Sequence, residues 1–459
     1  MTHTPSVSRD LVERAVRVHR DLPAEVSEAA RLHLLDALGV GIAGSIHSPL
    51  GSLPAIAAGH PGGRSSVLGS GLTTTAPVAA LVNGALIHSL EFDDTHVASI
   101  VHGSSTVAAA ALAVAQETEA DGEAMLSAFA LGWEVLVRMG LASPGALQAR
   151  GFQTTSAVGP FAAALVSGLL HGDPVDTIVD ALGIAGSQVG GTFAFLADGD
   201  TVKAGQPAWA AHAGLWAAEL ARSGMTGPER VLEGPLGFYE LYAGDEVAAT
   251  RLREELDDLG DRWHLLSAAY KLIPCCHFIH PFVEAVGEVL DTVDAHDVAS
   301  IHCHVPRGAM AIIADPWESR QHPATPHDVR WSLPYVLAAR VVDGEVGLDL
   351  FTREIGGERL ELSRRITAEP WEDSGFPGVY PARVTVTTRD GRRVEASVPD
   401  VLGGASRPLT REQVVAKART NLAAGGLPTG VIEDLVAEVL DAGGPTPTAL
   451  GDLLGPRGG

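Results

Sequence analysis

Residues 104–118 read SSTVAAAALAVAQET, a run of helix length that is apolar on nearly every side. A helix of that kind cannot lie on a surface; it belongs inside a larger helical bundle. The text around it repeats the pattern. Between Ala24 and about Leu266 stand SEAARLHLLDALGVGIAGS (27–45), APVAALVNGALIHSLEF (76–92), GEAMLSAFALGWEVLVRMGLA (122–142), VGPFAAALVSGLLHG (158–172) and PAWAAHAGLWAAELARSG (207–224). Pro207 suits the first turn of a helix through Arg222, and Gly224 suits its left-handed close. No fixed repeat of about 33 to 45 residues links these segments, so they form a bundle and not a solenoid.

After about Lys271 the texture changes. VASIHCHVP (298–306) is short and β-branched, and ARVTVTTRDGRRVEASVP (382–399) reads as two strands joined at Asp390-Gly391. Between them HDVRWSLPYVLAARVVDG (327–344) is helical in pattern. From LTREQVVAKARTNLAAGG (409–426) helices return, with Thr410 as N-cap and Glu412 close behind. The expected fold is mainly α: a large all-helical domain built by both chain ends (1–270 and 404–459), with a smaller α/β (α+β) lid domain inserted at 271–403. A cleft between two such domains is a favourable place for a small-molecule site.

The 459 residues, 46% hydrophobic, can support more than one core. A formal charge of -24 repels nucleic acid and anionic membranes at long range, so neither is an expected partner. Three cysteines, two of them adjacent (Cys275, Cys276, Cys303), argue against a disulfide framework and fit a reducing cytoplasm. The first residues show no signal-peptide core. Runs such as TVAAAALAVA reach only half of the roughly 20 residues that a membrane span needs.

The chemistry concentrates in HSLEFDDTHVASIVHGSS (88–105), where Glu91, Asp93 and Asp94 mingle with His88, His96 and His102 just ahead of the alanine run. Hiding so many ionisable groups beside an apolar helix is costly unless they are partnered. The preceding helix should break near Asp93-Asp94, and the next should start at Ser104 or Ser105, which sets His102 before an N-terminus that favours anions. Paired aspartates there also serve as ordinary caps. Lys203 stands just before the Pro207 helix, where it can neutralise a carboxylate. YKLIPCCHFIHPF (270–282) adds Lys271, His277 and His280, and IHCHV puts His302 and His304 on one strand face, a two-ligand arrangement or a plain polar surface. Adjacent cysteines without a second pair do not match zinc-ligand spacing, so no metal is expected. P-loop, dinucleotide, G-x-S-x-G and zinc-protease motifs are all missing, which favours side-chain acid-base chemistry without a cofactor.

Taken together, LVNGALIHSLEFDDTHVASIVHGSSTVAAAALAVAQ (81–116), RGFQTTSAVGPFAAAL (150–165), the stretch from Thr201, YKLIPCCHFIHPFVEAV (270–286) and HPATPHDVRWSLPYVLAARVVDG (322–344) resemble the MmgE/PrpD family, in order and over nearly the whole chain. The resemblance implies a helical domain with an inserted lid, a homodimer and no cofactor. It implies a lyase that removes a proton next to a carboxylate of a small polycarboxylate, first a 2-methylcitrate-like dehydration. Epimerisation of an (amino)dicarboxylate and a cis-aconitate-type decarboxylation are the alternatives. His102, Lys203, Glu91 and Asp93 take catalytic positions; Thr95, Gln153, Lys271 and His280 take substrate-binding ones. Glu91 stands where relatives have aspartate, Gln153 where they often have histidine, and Gly103 where proline usually follows the histidine. Two rival classes remain: a metal-dependent hydrolase with Asp93, Asp94 and His96 as ligands, and a non-catalytic binding protein.

Overall fold

The computed structural model describes residues 5–195 and 200–455. They form two compact units, one running through Ala268 and resuming at Thr410, the other Ala269–Leu409. The second unit therefore starts two residues before the sequence boundary and keeps 404–409. Local bonds explain this: the Tyr270 amide donates to the Gly403 carbonyl at 3.1 Å, and Arg407 pairs with Glu284 at 2.6 Å. Thr410 then opens the return helix Arg411–Ala424 through a capping box closed by Gln413.

Among the described residues the first unit is mainly helical, with a two-residue antiparallel ladder, β1 (Ser65–Ser66) with β2 (Thr73–Thr74), and isolated bridges such as His96–Val101, so the expected all-helical domain carries small exceptions. Helices Ala24–His47, Ala76–His88, Gly103–Thr118, Gly122–Leu141, Thr154–His171 and Val202–Arg222 supply its core. Every residue from Gly103 to Gln116 is buried, which only side chains as small as alanine allow at such close helix spacing. Ala24–His47 and Gly122–Leu141 are long and apolar enough to cross a membrane, which the run-length argument missed because polar residues interrupt them. Their most apolar windows are 78% and 94% buried by the protein's own packing, which reads as core helix.

Three helices run parallel with their N-termini side by side. Thr106 Oγ1 donates to the Pro207 carbonyl at 3.1 Å, Ser156 Oγ to the Gln206 carbonyl at 3.1 Å, and the His102 amide to Thr155 Oγ1 at 2.9 Å. The Val202–Arg222 helix begins five residues before Pro207, so Lys203 lies inside its first turn and not ahead of it. Gly224 does take the left-handed conformation just past its end (φ +97°).

The second unit holds a four-stranded mixed sheet in the order β4-β3-β5-β6, from β3 (Val298–Pro306), β4 (Ile366–Trp371), β5 (Ala382–Thr388) and β6 (Arg393–Val398). β3 is central, parallel to β4 and antiparallel to β5. The β5–β6 hairpin turns at Asp390-Gly391, where Gly391 (φ +88°) supplies the left-handed residue. Helix His280–Leu290 packs on β5 and β6, and helix Leu333–Val342 follows a short 3-10 turn at Asp328–Trp331.

Candidate active site

The helix Ala76–His88 ends at His88, five residues ahead of the Asp93-Asp94 pair where the sequence placed the break, and the next begins at Gly103, so His102 is its N-cap residue. Ser104 and Ser105 are not the caps. Instead Asp94 reaches in from the loop: it accepts from the Ser104 amide at 3.1 Å and from Ser104 Oγ at 2.6 Å. Its carboxylate also meets His33 Nδ1 at 2.7 Å, and the Trp133 indole donates to Ser104 Oγ at 3.2 Å. Asp94 is thus the structural member of the aspartate pair. Gly103 owes its identity to the same corner, since a Cβ there would stand 2.2 Å from the Trp133 ring.

Asp93 does the other job. Its Oδ2 lies 2.8 Å from His88 Nδ1 and 3.5 Å from His102 Nδ1, while Oδ1 has no hydrogen-bond partner among the described residues. Burial by itself would raise this carboxyl, but the facing imidazoles of His88 and His102 hold it well below the usual carboxylate range. The two rings meet edge to face at 4.6 Å. On the far side His88 Nε2 is 3.5 Å from Glu91 Oε1, and that carboxylate pairs with the Lys203 ammonium. Glu91 has a left-handed backbone (φ +53°), as does Ile100 (φ +53°), so the loop bends sharply at both places.

The result is one continuous chain, Lys203–Glu91–His88–Asp93–His102, assembled from a helix end, a loop and the first turns of two helices. Its middle is sealed: the side chains of His88 and Asp93 are 0% exposed, whereas those at the ends, His102 and Lys203, are 13% and 11% exposed. A buried Lys–Glu pair is tolerated only with close geometry, and losing either partner leaves a charge stranded. The return helix anchors the loop from behind. Lys417 Nζ binds Asp36 at 2.8 Å and the Phe92 carbonyl at 2.9 Å, between Glu91 and Asp93.

Of the predicted site residues, Glu91, Asp93, His102 and Lys203 come together. Glu91 pairs with Lys203 and stands 3.5 Å from His88, while Asp93 stands 3.5 Å from His102 Nδ1. Thr95 is buried in the same loop. Gln153 is the residue before helix Thr154–His171, whose Thr155 holds the His102 amide; it is 4% exposed, and neither polar atom of its side chain has a partner among the described residues. Lys271 and His280 belong to the second unit, where Lys271 is fully buried and His280 opens helix His280–Leu290 with its ring 4.8 Å from that of His277.

His96 does not join the chain. Its Nδ1 lies 2.8 Å from Ser99 Oγ and its Nε2 3.2 Å from Ser267 Oγ, and burial, helped by Arg262, lowers its pKa to about 4. Asp93, Asp94 and His96 therefore turn to three different sets of partners and do not converge as a hydrolase metal site. His88, Glu91 and His102 do offer donor atoms within 4.8 Å of one another. The Lys203 charge on Glu91 disfavours a cation there. Sequence reasoning passed over His88 as a working residue; its signal was its place three residues before Glu91 and five before Asp93.

Comparison with known proteins adds a second line. The MmgE/PrpD N-terminal domain matches residues 14–250, and the MmgE/PrpD C-terminal domain matches residues 273–437. The chain is 29% identical over 422 residues to a cis-aconitate decarboxylase of Aspergillus terreus, covering 87% of this chain and 86% of that protein. It is 30% identical over 420 residues to a cis-aconitate decarboxylase-like protein of Aspergillus oryzae, with shares of 87% and 86%. A cis-aconitate decarboxylase of Mus musculus is 27% identical over 420 residues, with shares of 88% and 84%.

Proposed function

The chain belongs to the MmgE/PrpD family, and from that premise we propose that it is a lyase for a small polycarboxylate, working by proton transfer at the carbon next to a carboxylate. The observation that carries this reading is the chain from Lys203 to His102, sealed in the middle and slightly exposed at both ends. A carbon acid of this kind needs a proton carrier and a positive or amide field for the charge that spreads onto carboxylate oxygens. Imidazole is the side chain whose protonation changes near neutrality, so His102 is the proton carrier, steadied in its cationic form by Asp93. Lys203 supplies the field despite the chain's overall negative charge, and Glu91 keeps it in place. The helix N-termini beside His102 and Gln153 add amide dipoles favourable to an anion.

Two reactions use these groups, and the relatives' names favour the first. In a cis-aconitate-type decarboxylation the C–C bond to one carboxylate breaks, carbon dioxide leaves with no electrons from that bond, and the resulting carbanion takes a proton from His102. In a 2-methylcitrate-like dehydration His102 or its partner removes the proton, and hydroxide departs with a second proton as water. The buried amide of Gln153, without a partner among the described residues, favours a substrate that offers both a donor and an acceptor at that point, as a hydroxy acid does.

The test is incubation of the purified chain with cis-aconitate and with 2-methylcitrate, followed by NMR. Carbon dioxide release or alkene formation from one acid, abolished in His102→Asn, is the expected result. Turnover of neither acid, or turnover undiminished in that variant, contradicts the proposal.

A further inference from the structure

The second unit carries a group of side chains that the proposed reaction does not use. In β3 the residues alternate, with Ile301, Cys303 and Val305 buried and His302 and His304 partly exposed on the opposite face. The neighbouring parallel strand puts Thr367 opposite His302 and Glu369 opposite His304. The Glu369 carboxylate reaches both rings: Oε1 is 2.9 Å from His304 Nδ1, and Oε2 is 3.6 Å from His302 Nε2. One donor atom from each of the three residues falls within 4.8 Å of the others. A fourth residue orients the set, since His302 Nδ1 stands 2.8 Å from Thr367 Oγ1.

We propose that His302, His304 and Glu369 form a binding site for a divalent transition-metal ion, with Thr367 as the supporting residue. Ligands at about 2.0–2.1 Å from a tetrahedral zinc stand about 3.3 Å apart, so the two carboxylate–imidazole separations bracket the required spacing. If Nδ1 of His302 donates to Thr367, Nε2 keeps its lone pair for the metal, which is the usual outer arrangement of a ligating histidine. A simple ion pair would need one imidazole; two on one carboxylate, one of them oriented by a hydroxyl, go beyond that need. Two neutral nitrogens and one carboxylate suit zinc, cobalt, nickel or copper, and suit magnesium or calcium poorly. The nearest cation in register, Arg383 opposite His304, is drawn off over the Trp371 ring at 4.5 Å. Three protein ligands leave a fourth position for water.

The test is a titration of the full chain, first stripped by a chelator, with cobalt(II), read by visible absorption, with zinc as competitor. One equivalent is expected at this site, displaced by zinc and not by excess magnesium. His304→Ala should weaken binding by at least about 100-fold and Thr367→Val by about 10-fold. Glu369→Gln, a same-shape change at an exposed position, should also abolish it and guards against misfolding of the histidine variant. His102→Asn should bind as wild type does. No cobalt bound by wild type, or cobalt bound equally well by Glu369→Gln, overturns the proposal, as does binding lost only in His102→Asn, which would move the ion to the other histidine cluster.

Discussion

The His88–His102 loop and the β3–β4 strand pair both set two histidines against a carboxylate, yet they differ in the one quantity that decides what such a group can do. Around Asp93 the side chains of His88 and the aspartate are 0% exposed, whereas His302, His304 and Glu369 are 35%, 25% and 55% exposed. In the first region each charge depends on its neighbour, and the set acts as a unit. In the second, water screens the same pairing, so the groups are individually replaceable and free to take a ligand.

Substitutions can break or sharpen that contrast. The largest effect is expected from His102→Asn, which should lower kcat by about 10²–10⁴-fold while leaving the unfolding midpoint close to wild type. Retained turnover would put the proton elsewhere. Next, Lys203→Met strands Glu91 and should cost about 3–5 kcal/mol in denaturant unfolding, most of it recovered in the double variant with Glu91→Gln; a fully additive cycle would show that the pair is not coupled. His96 tests burial, with the Arg262 charge acting in the same direction. Its folded pKa of about 4 lies below the unfolded value near 6.5, so stability present above pH 6.5 is lost as pH falls toward 4, by about 3 kcal/mol. His96→Asn should flatten that part of the pH-stability curve, and an unchanged slope would contradict the assignment. The smallest change is expected in the exposed region: with chelator present, Glu369→Gln should shift stability by no more than about 0.5 kcal/mol.

What the sequence revealed follows from how local each signal is. The alanine helices, the Asp390-Gly391 hairpin and the Thr410 cap are each written within a few residues, and periodicity or turn chemistry is enough to read them. The His88–His102 cluster was visible as a density of ionisable groups, but its division of labour was not. Asp93 and Asp94 are adjacent and chemically identical, and they differ because Ser104 and the distant His33, 61 positions away, hold one while His88 and His102 hold the other. Lys417 reaches Asp36 across 381 positions, a pairing that no local pattern marks. The start of the Val202–Arg222 helix was misplaced because Pro207, a good first-turn residue, lies inside it. Glu369, the partner that makes a site of His302 and His304, became apparent only through strand register.

The most direct test of the central claim is proton traffic at the Asp93–His102 end of the buried chain. The chain is incubated in deuterated buffer with the acid it turns over, and the isotope at the carbon next to the carboxylate is followed by NMR. Exchange or incorporation of solvent deuterium by wild type, lost in both His102→Asn and Asp93→Asn while the folded state persists, is the predicted result. Deuterium handled equally well by both variants would contradict the account.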